Sequence, residues 1–230
     1  MKKLLILLFS ILISFNSYGK TVCVETDAQE RDGIIYLLNE TKPFTGKDVC
    51  KYENGQIKKE VNYKDGKKHG KLTWWDENGQ KTSERNYKGD KIDGKWTEWY
   101  KNGQIKSERI YKDGKEDGKW TYWYENGQKE HKVNYKDGKY DGKWIRWHDN
   151  GQKYYEVNYK DGKLIGETKY TYFENGQIRT EENYKDGELD GVYNSWYENG
   201  QKKVEAYFKD GKYTKWTEWR KNGKKKWNWI

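Results

Sequence analysis

Proline is almost missing from this sequence: Pro43 is the single one in 230 residues. A chain this poor in a residue that cannot donate to a β-ladder has room for many strands. Histidine is also scarce. His69, His131 and His148 are the only three, and none has a serine or cysteine partner at an informative spacing, so the expectation contains no catalytic residue. With two cysteines, Cys23 and Cys50, the chain has too few ligands for a cysteine-based metal site. No Gly-x-x-x-x-Gly-Lys-Ser/Thr loop is present to cradle a phosphate, and Gly166-Glu167-Thr168 comes nearest. No cofactor is expected. Beyond Phe15 there is no long apolar run, and the mean hydropathy is -1.39.

Such polarity by itself would suggest disorder. The 13 Trp and 21 Tyr argue the other way, because disordered chains are poor in aromatics. The expected solution is a thin ordered structure that packs through large amphipathic rings and has no globular centre.

Residues 1–19 read as a secretory signal peptide: Lys2-Lys3, an apolar run from Leu4 to Phe15, then Ser17-Tyr18-Gly19 with small residues at the -3 and -1 positions. The run is short for a transmembrane span, so the expected destination is exported: periplasmic, cell-surface or secreted. Removing Lys2 and Lys3 lowers the formal net charge from +9 to near +7. That excess is interleaved with acidic residues as on a mixed solvated surface, which suits either solubility or an anionic partner. Residues 20–45 hold Ile34, Ile35, Leu37 and Leu38 and read as an N-terminal cap, since an array needs its terminal edge covered. Cys23 and Cys50 bracket that cap. In an oxidising compartment they are expected to form one disulfide, with free buried thiols as the other reading.

From residue 46 to 230 the chain is a repeat array. Asn54-Gly55 recurs as Asn78-Gly79, Asn102-Gly103, Asn126-Gly127, Asn150-Gly151, Asn175-Gly176, Asn199-Gly200 and Asn222-Gly223, in steps of 24, 24, 24, 24, 25, 24 and 23 residues. Asn-Gly is the preferred pair for a two-residue type I′ hairpin turn, because both central residues take positive φ. The fold class predicted is all-β: an elongated single-layer antiparallel sheet of about eight successive β-hairpin repeats. Folding one copy about Asn102-Gly103 sets Tyr100 opposite Ile105, Trp99 opposite Lys106 and Trp96 opposite Arg109. Trp96, Tyr100, Ile105 and Tyr111 then share one face, and Thr97, Trp99, Lys106 and Glu108 the other. The following Asp113-Gly114 suits a second two-residue turn, which would set Glu108 against Lys119 and Trp120 on the face of Trp96. A longer Asp-Gly-x-x-Asp-Gly loop is the alternative.

An even period returns each repeat position to the same face and builds columns. One column is Trp96, Trp120, Trp144, Tyr193 and Trp216; a second is Trp75, Trp99, Trp123, Trp147, Trp196 and Trp219; the second strands add Tyr63, Tyr87, Tyr111, Tyr135, Tyr159 and Tyr184. The 25-residue step around Gly166 to Tyr170 predicts a β-bulge or altered loop, and the 23-residue step at Lys212 to Lys215 a shortened one. The chain closes on Lys224 to Ile230, a lysine-rich strand of the kind that discourages edge pairing.

These residues resemble the MORN repeat family, in particular its variant form in exported and bacterial proteins. The Asn-Gly turn, the aromatic strand, the connection Lys64-Asp65-Gly66-Lys67-Lys68-His69-Gly70-Lys71 and the segment Pro43-Phe44-Thr45-Gly46 carry the likeness, which spans roughly residues 33 to 230. The resemblance implies an elongated sheet of hairpins. Its members are variously associated with membrane phospholipids, protein scaffolding and, by label, the antitoxin half of toxin-antitoxin pairs. A cytoplasmic antitoxin would have no use for the export signal.

The function expected is that of an exported, non-enzymatic, monomeric binding or scaffolding module for a protein or cell-envelope partner. The candidate binding face is the row Trp75, Trp99, Trp123, Trp147, Trp196 and Trp219. The rings have two readings, cross-strand packing or a ligand platform, and one column can serve each. Alternatives are a carbohydrate- or choline-binding wall module, a toxin-neutralising partner, or anionic lipid binding. Nucleic acid is not expected as a partner of an exported chain. Asp113, Asp117 and their equivalents serve turn chemistry, since the ligand spacing of a calcium loop is missing. Where the repeat breaks, at Leu164 to Phe173, a ligand site is sought first.

Overall fold

The computed structural model describes residues 19–226. The signal peptide expected at 1–19 therefore lies, but for Gly19, outside the described residues, as does Trp227 to Ile230, the end of the lysine-rich strand expected there. No helix among the described residues is long and apolar enough to cross a membrane.

From Gly46–Lys51 onward, strand follows strand through Ile57–Lys64, Lys67–Trp75, Lys81–Lys88, Lys91–Trp99 and Ile105–Lys112 to the last, Lys212–Glu218. Each pairs antiparallel with its neighbours in sequence. The result is one long open sheet of consecutive hairpins, all-β as the repeat predicts. Its ladder needs alternating side chains and an unbroken supply of N–H donors, and the near absence of proline provides the second.

The Asp-Gly turn is the two-residue turn expected, and the Asn-Gly turn is not the type I′ turn expected. At Asn102-Gly103 only the glycine has positive φ, at 83°. The Gly103 N–H donates to Tyr100 O at 3.0 Å, and the Tyr100 N–H to Gln104 O at 2.8 Å. This is a type I turn closed by a glycine bulge. Asparagine is there for its side chain: Oδ1 accepts from the Gln104 N–H at 3.0 Å, and Nδ2 donates to Glu125 O in the next hairpin at 3.0 Å. The extra residue sets Trp99 opposite Ile105 and not Lys106, while Trp96 opposes Arg109 as expected. The type I′ geometry belongs to Asp-Gly, where Asp113 and Gly114 have φ of 50° and 85°.

Register changes again after each Asp-Gly turn. Glu116 pairs with Tyr111, but Thr121 pairs with Glu108, so Asp117 and Gly118 form a two-residue bulge and Glu108 does not meet Lys119. A two-residue shift preserves alternation, and Trp120 stays on the face of Trp96. The irregular steps are absorbed at the same place. At Ile165 and again at Thr214 the register slips by one residue only: Tyr159 pairs with Leu164 but Asn158 with Gly166, and Phe208 with Tyr213 but Tyr207 with Lys215.

Residues 20–45 cover the first edge and part of one face. Lys20–Val22 pairs in parallel with Gly46–Lys51, and the hairpin Ala28–Arg31 with Ile34–Leu37 lies over the first repeats. Val22, Leu37, Phe44, Val61, Tyr63 and Leu72 form the buried cluster there. Cys23 and Cys50 are joined by a disulfide with Cα atoms 4.7 Å apart, tying the start of the cap to the first strand.

Candidate functional site

The two faces of the sheet hold different chemistry. On one, Trp96, Trp120 and Trp144 interleave with the tyrosines of the second strands. Tyr111 lies 5.8 Å from Trp96 and 5.1 Å from Trp120, Tyr135 lies 4.6 Å from Trp120, and Tyr140 bridges Tyr135 to Tyr159. The guanidinium groups of Arg85 and Arg109 lie 3.8 and 3.7 Å from the Trp96 ring centre, and Arg109 also pairs with Glu98. Offset rings and flanking cations satisfy one another's quadrupoles, so this column is spent on packing.

The opposite face is a ladder of ion pairs. Lys47 meets Glu60 at 2.8 Å, Lys71 meets Glu84 at 3.1 Å, and Lys95 meets Glu108. Farther along, Lys143 and Lys153 both hold Glu156. Lys132 occupies the repeat position that Glu108 and Glu156 fill in adjoining repeats, 24 residues away on either side. Burial pushes the Lys132 pKa down, and Lys119, Lys129 and Lys143 add to the effect. The interruption is visible in the sequence only when repeats are aligned, at the sixth residue after each Asn-Gly asparagine: lysine at 132, glutamate at 108 and 156.

The row Trp75, Trp99, Trp123, Trp147, Trp196 and Trp219 stands along the Asn-Gly edge, and every member is half-buried. Lysine ammonium groups from the preceding hairpin lie over three of the rings: Lys81 is 5.3 Å from Trp99, Lys129 is 5.9 Å from Trp147, and Lys202 is 5.9 Å from Trp219. The backbone at the row is fixed by tyrosines, whose hydroxyls donate from Tyr52 to Trp75 O at 2.8 Å and from Tyr124 to Trp147 O at 2.9 Å. Trp123, Trp147 and Lys129 border a cavity of about 310 Å³. A second, of about 400 Å³, adjoins Trp196 and is rimmed by Arg179, Lys203 and Lys221. Such openings suit a flat or extended partner better than a small molecule that must be enclosed.

His69, His131 and His148 are not brought together. His131 stacks on Tyr122 at 4.1 Å and His148 on Tyr154 at 4.4 Å, as ring partners.

The ladder makes stability pH-dependent. Burial alone would raise the Glu156 pKa, but the hydrogen bonds from Lys143 and Lys153 outweigh it and hold the carboxyl below its usual 4.5. A carboxylate depressed in the folded state contributes stability above its unfolded pKa and loses it as pH falls through the folded one. Thermal stability is expected to drop on acidification between about pH 5 and pH 2, and Glu156→Gln to flatten part of that slope. Melting curves across that range check it; an unchanged slope in the variant would reject the assignment.

No curated protein matches the chain. The model of the MORN repeat variant matches it seven times, at residues 49–65, 68–88, 92–113, 116–137, 140–161, 168–186 and 189–210. With most of the sheet covered by consecutive matches, the chain belongs to the MORN repeat variant family.

Proposed function

We propose that this protein is an exported, non-enzymatic module that binds a protein partner, exposed on or soluble within the cell envelope, through its tryptophan row. Repeats of this family are generally protein- or membrane-binding modules. The observation that carries the finer reading is the Trp123–Trp147 cavity, with Lys129 at its border and Lys132 breaking the ion-pair ladder on the same face. Half-buried rings flanked by Lys129 and Lys132, which make no ion pair among the described residues, favour a partner surface with acidic groups around apolar ones, the rings supplying contact area at low entropy cost. The packing column on the other face has no comparable freedom, since its rings are engaged with one another.

The test is capture from cell-envelope extracts by the full chain, compared with a Trp123→Ala/Trp147→Ala variant. The variant is expected to lose captured partner by about tenfold or more while still folding. Undiminished capture would reject the row as the binding face. Retention on choline resin or purified glycans, lost in the same variant, would favour the wall-binding alternative. Salt-sensitive binding to anionic vesicles would favour a lipid surface instead.

A further inference from the structure

Along the edge opposite the Asn-Gly turns, the Asp-Gly turns stack on one another and satisfy each other's donors. The Gly162 N–H donates to Tyr140 O at 2.8 Å, and the Gly211 N–H to Leu189 O at 2.9 Å; the glycines at 66, 114 and 138 find equivalent carbonyls. A carboxylate from the preceding connection completes the site. Asp141 accepts from Lys160 Nζ at 2.9 Å and faces the Asp161 N–H at 3.4 Å; Asp190 does the same with Lys209 at 2.7 Å and the Asp210 N–H at 3.5 Å. The junctions at Asp113-Gly114, Asp137-Gly138, Asp161-Gly162 and Asp210-Gly211 therefore each hold one carboxylate and one carbonyl, and at Asp65-Gly66 the Thr45 hydroxyl takes the carboxylate's place.

The junction at Asp186-Gly187 holds neither. Its turn has the same shape, with φ of 51° and 86°. The residue that should supply the carboxylate, 24 positions after Asp141, is Ile165. Among the described residues Lys185 makes no ion pair, and the Gly187 N–H makes none of the bonds to the preceding turn that its equivalents make. A Cβ built on Gly187 would meet nothing within 4 Å, whereas at Gly162 and Gly211 the preceding turn lies at 3.8 and 3.5 Å. The inserted residue and the one-residue bulge have separated the two turns. The gap is a cavity of about 310 Å³ whose lining includes Leu164, Ile165, Glu167, Tyr184, Lys185 and Gly187, with the Glu167 carboxylate already held by Lys169 at 3.2 Å. Leu164 and Ile165 are 50% and 56% exposed.

We propose that this slot receives an extended peptide segment of a protein partner. The segment presents a carboxylate to Lys185 and the Asp186 N–H, a backbone carbonyl to the Gly187 N–H, and an apolar side chain to Leu164 and Ile165. Charge complementarity selects this occupant: the vacant position is the one that Asp141 and Asp190 fill, and Lys185, the counterpart of Lys160 and Lys209, makes no ion pair among the described residues. The chain also shows the backbone half of such an arrangement with a segment from outside the repeat. At the first turn of the array, the Gly66 N–H donates to Phe44 O at 2.7 Å and Gly66 O accepts from the Ile35 N–H of the cap at 3.0 Å. The slot lies on residues outside the tryptophan row, so each reading can fail without the other.

The probe is the acetylated, amidated peptide with the sequence of residues 188–191, Glu-Leu-Asp-Gly, titrated into the full ¹⁵N-labelled chain. The amide signals of Asp186 and Gly187 are expected to shift saturably, with an apparent Kd on the order of 1 mM. Replacing the peptide's aspartate by asparagine, or making Lys185→Gln in the protein, is expected to weaken binding by about fivefold or more. Lys185 is exposed, so the variant keeps its fold. Four results would each overturn the proposal: no shift, equal binding of the asparagine peptide, equal shifts at the filled Asp161-Gly162 turn, or the same shifts with sodium acetate alone.

Discussion

Trp120→Ala is expected to destabilise the protein by about 3–5 kcal/mol, the range for removing a large buried ring. Trp120 is the one indole of its column that is fully buried, at 8% exposure. It touches Tyr111 and Tyr135 on neighbouring strands, and its Nε1–H donates to Ile110 O at 2.9 Å. Truncation removes the apolar area, two ring contacts and one of that carbonyl's two donors together, the Asp117 N–H at 3.1 Å remaining. In a sheet whose hairpins touch only their neighbours, the damage should be local before it is global. Hydrogen exchange is therefore expected to accelerate first in the strands Ile105–Lys112 and Lys129–Lys136, with urea unfolding reporting the total. A loss below about 1 kcal/mol would mean that the ring is not packed as described.

A loss of similar size, about 3–5 kcal/mol, is expected for Asp48→Ala. Asp48 is fully buried where the cap meets the first strands, paired in register with both Val22 and Val61. Its Oδ1 accepts from the Val24 N–H at 3.0 Å, and its Oδ2 lies 3.0 Å from Lys59 Nζ. Lys59 is itself buried and keeps only the more distant, exposed Glu25 at 3.4 Å once Asp48 is gone. Removing one member of a buried pair leaves the other desolvated without compensation, which is why the cost exceeds that of a surface pair. Asp48→Leu/Lys59→Met removes both charges and is expected to recover much of the loss, although the Val24 N–H stays unserved. Urea midpoints for the single and double variants give the comparison. A single variant as stable as the parent would show that the pair does not hold the cap.

The Asn-Gly pairs made the fold legible because each hairpin needs a residue of positive φ at a fixed place, and the spacing of those places counts the strands. Turn type was legible at Asp-Gly and not at Asn-Gly. Asn102 uses its side chain to bond Gln104 and the next turn, a tertiary arrangement that the dipeptide preference does not contain. Register within the repeat was missed for the same reason: the bulge at Asp117-Gly118 serves turn stacking between hairpins, which only the assembled sheet displays. The tryptophan columns followed from parity alone, but their half-burial depends on lysines arriving from the neighbouring hairpin. The break near Leu164 showed as an odd step. That it opens a slot depends on Ile165 standing where aspartates stand elsewhere, a comparison between repeats and not along the chain.

We propose that the faces divide the work, one packing and one recognising. Equilibrium unfolding of six single Trp→Ala variants, at 96, 120 and 144 on one face and 99, 123 and 147 on the other, tests it most directly. The first three together are expected to lose at least about twice the stability of the second three, while partner capture falls only in the second set among variants that remain folded. Equal losses on both faces, or capture that falls only with residues 96, 120 and 144, would contradict it.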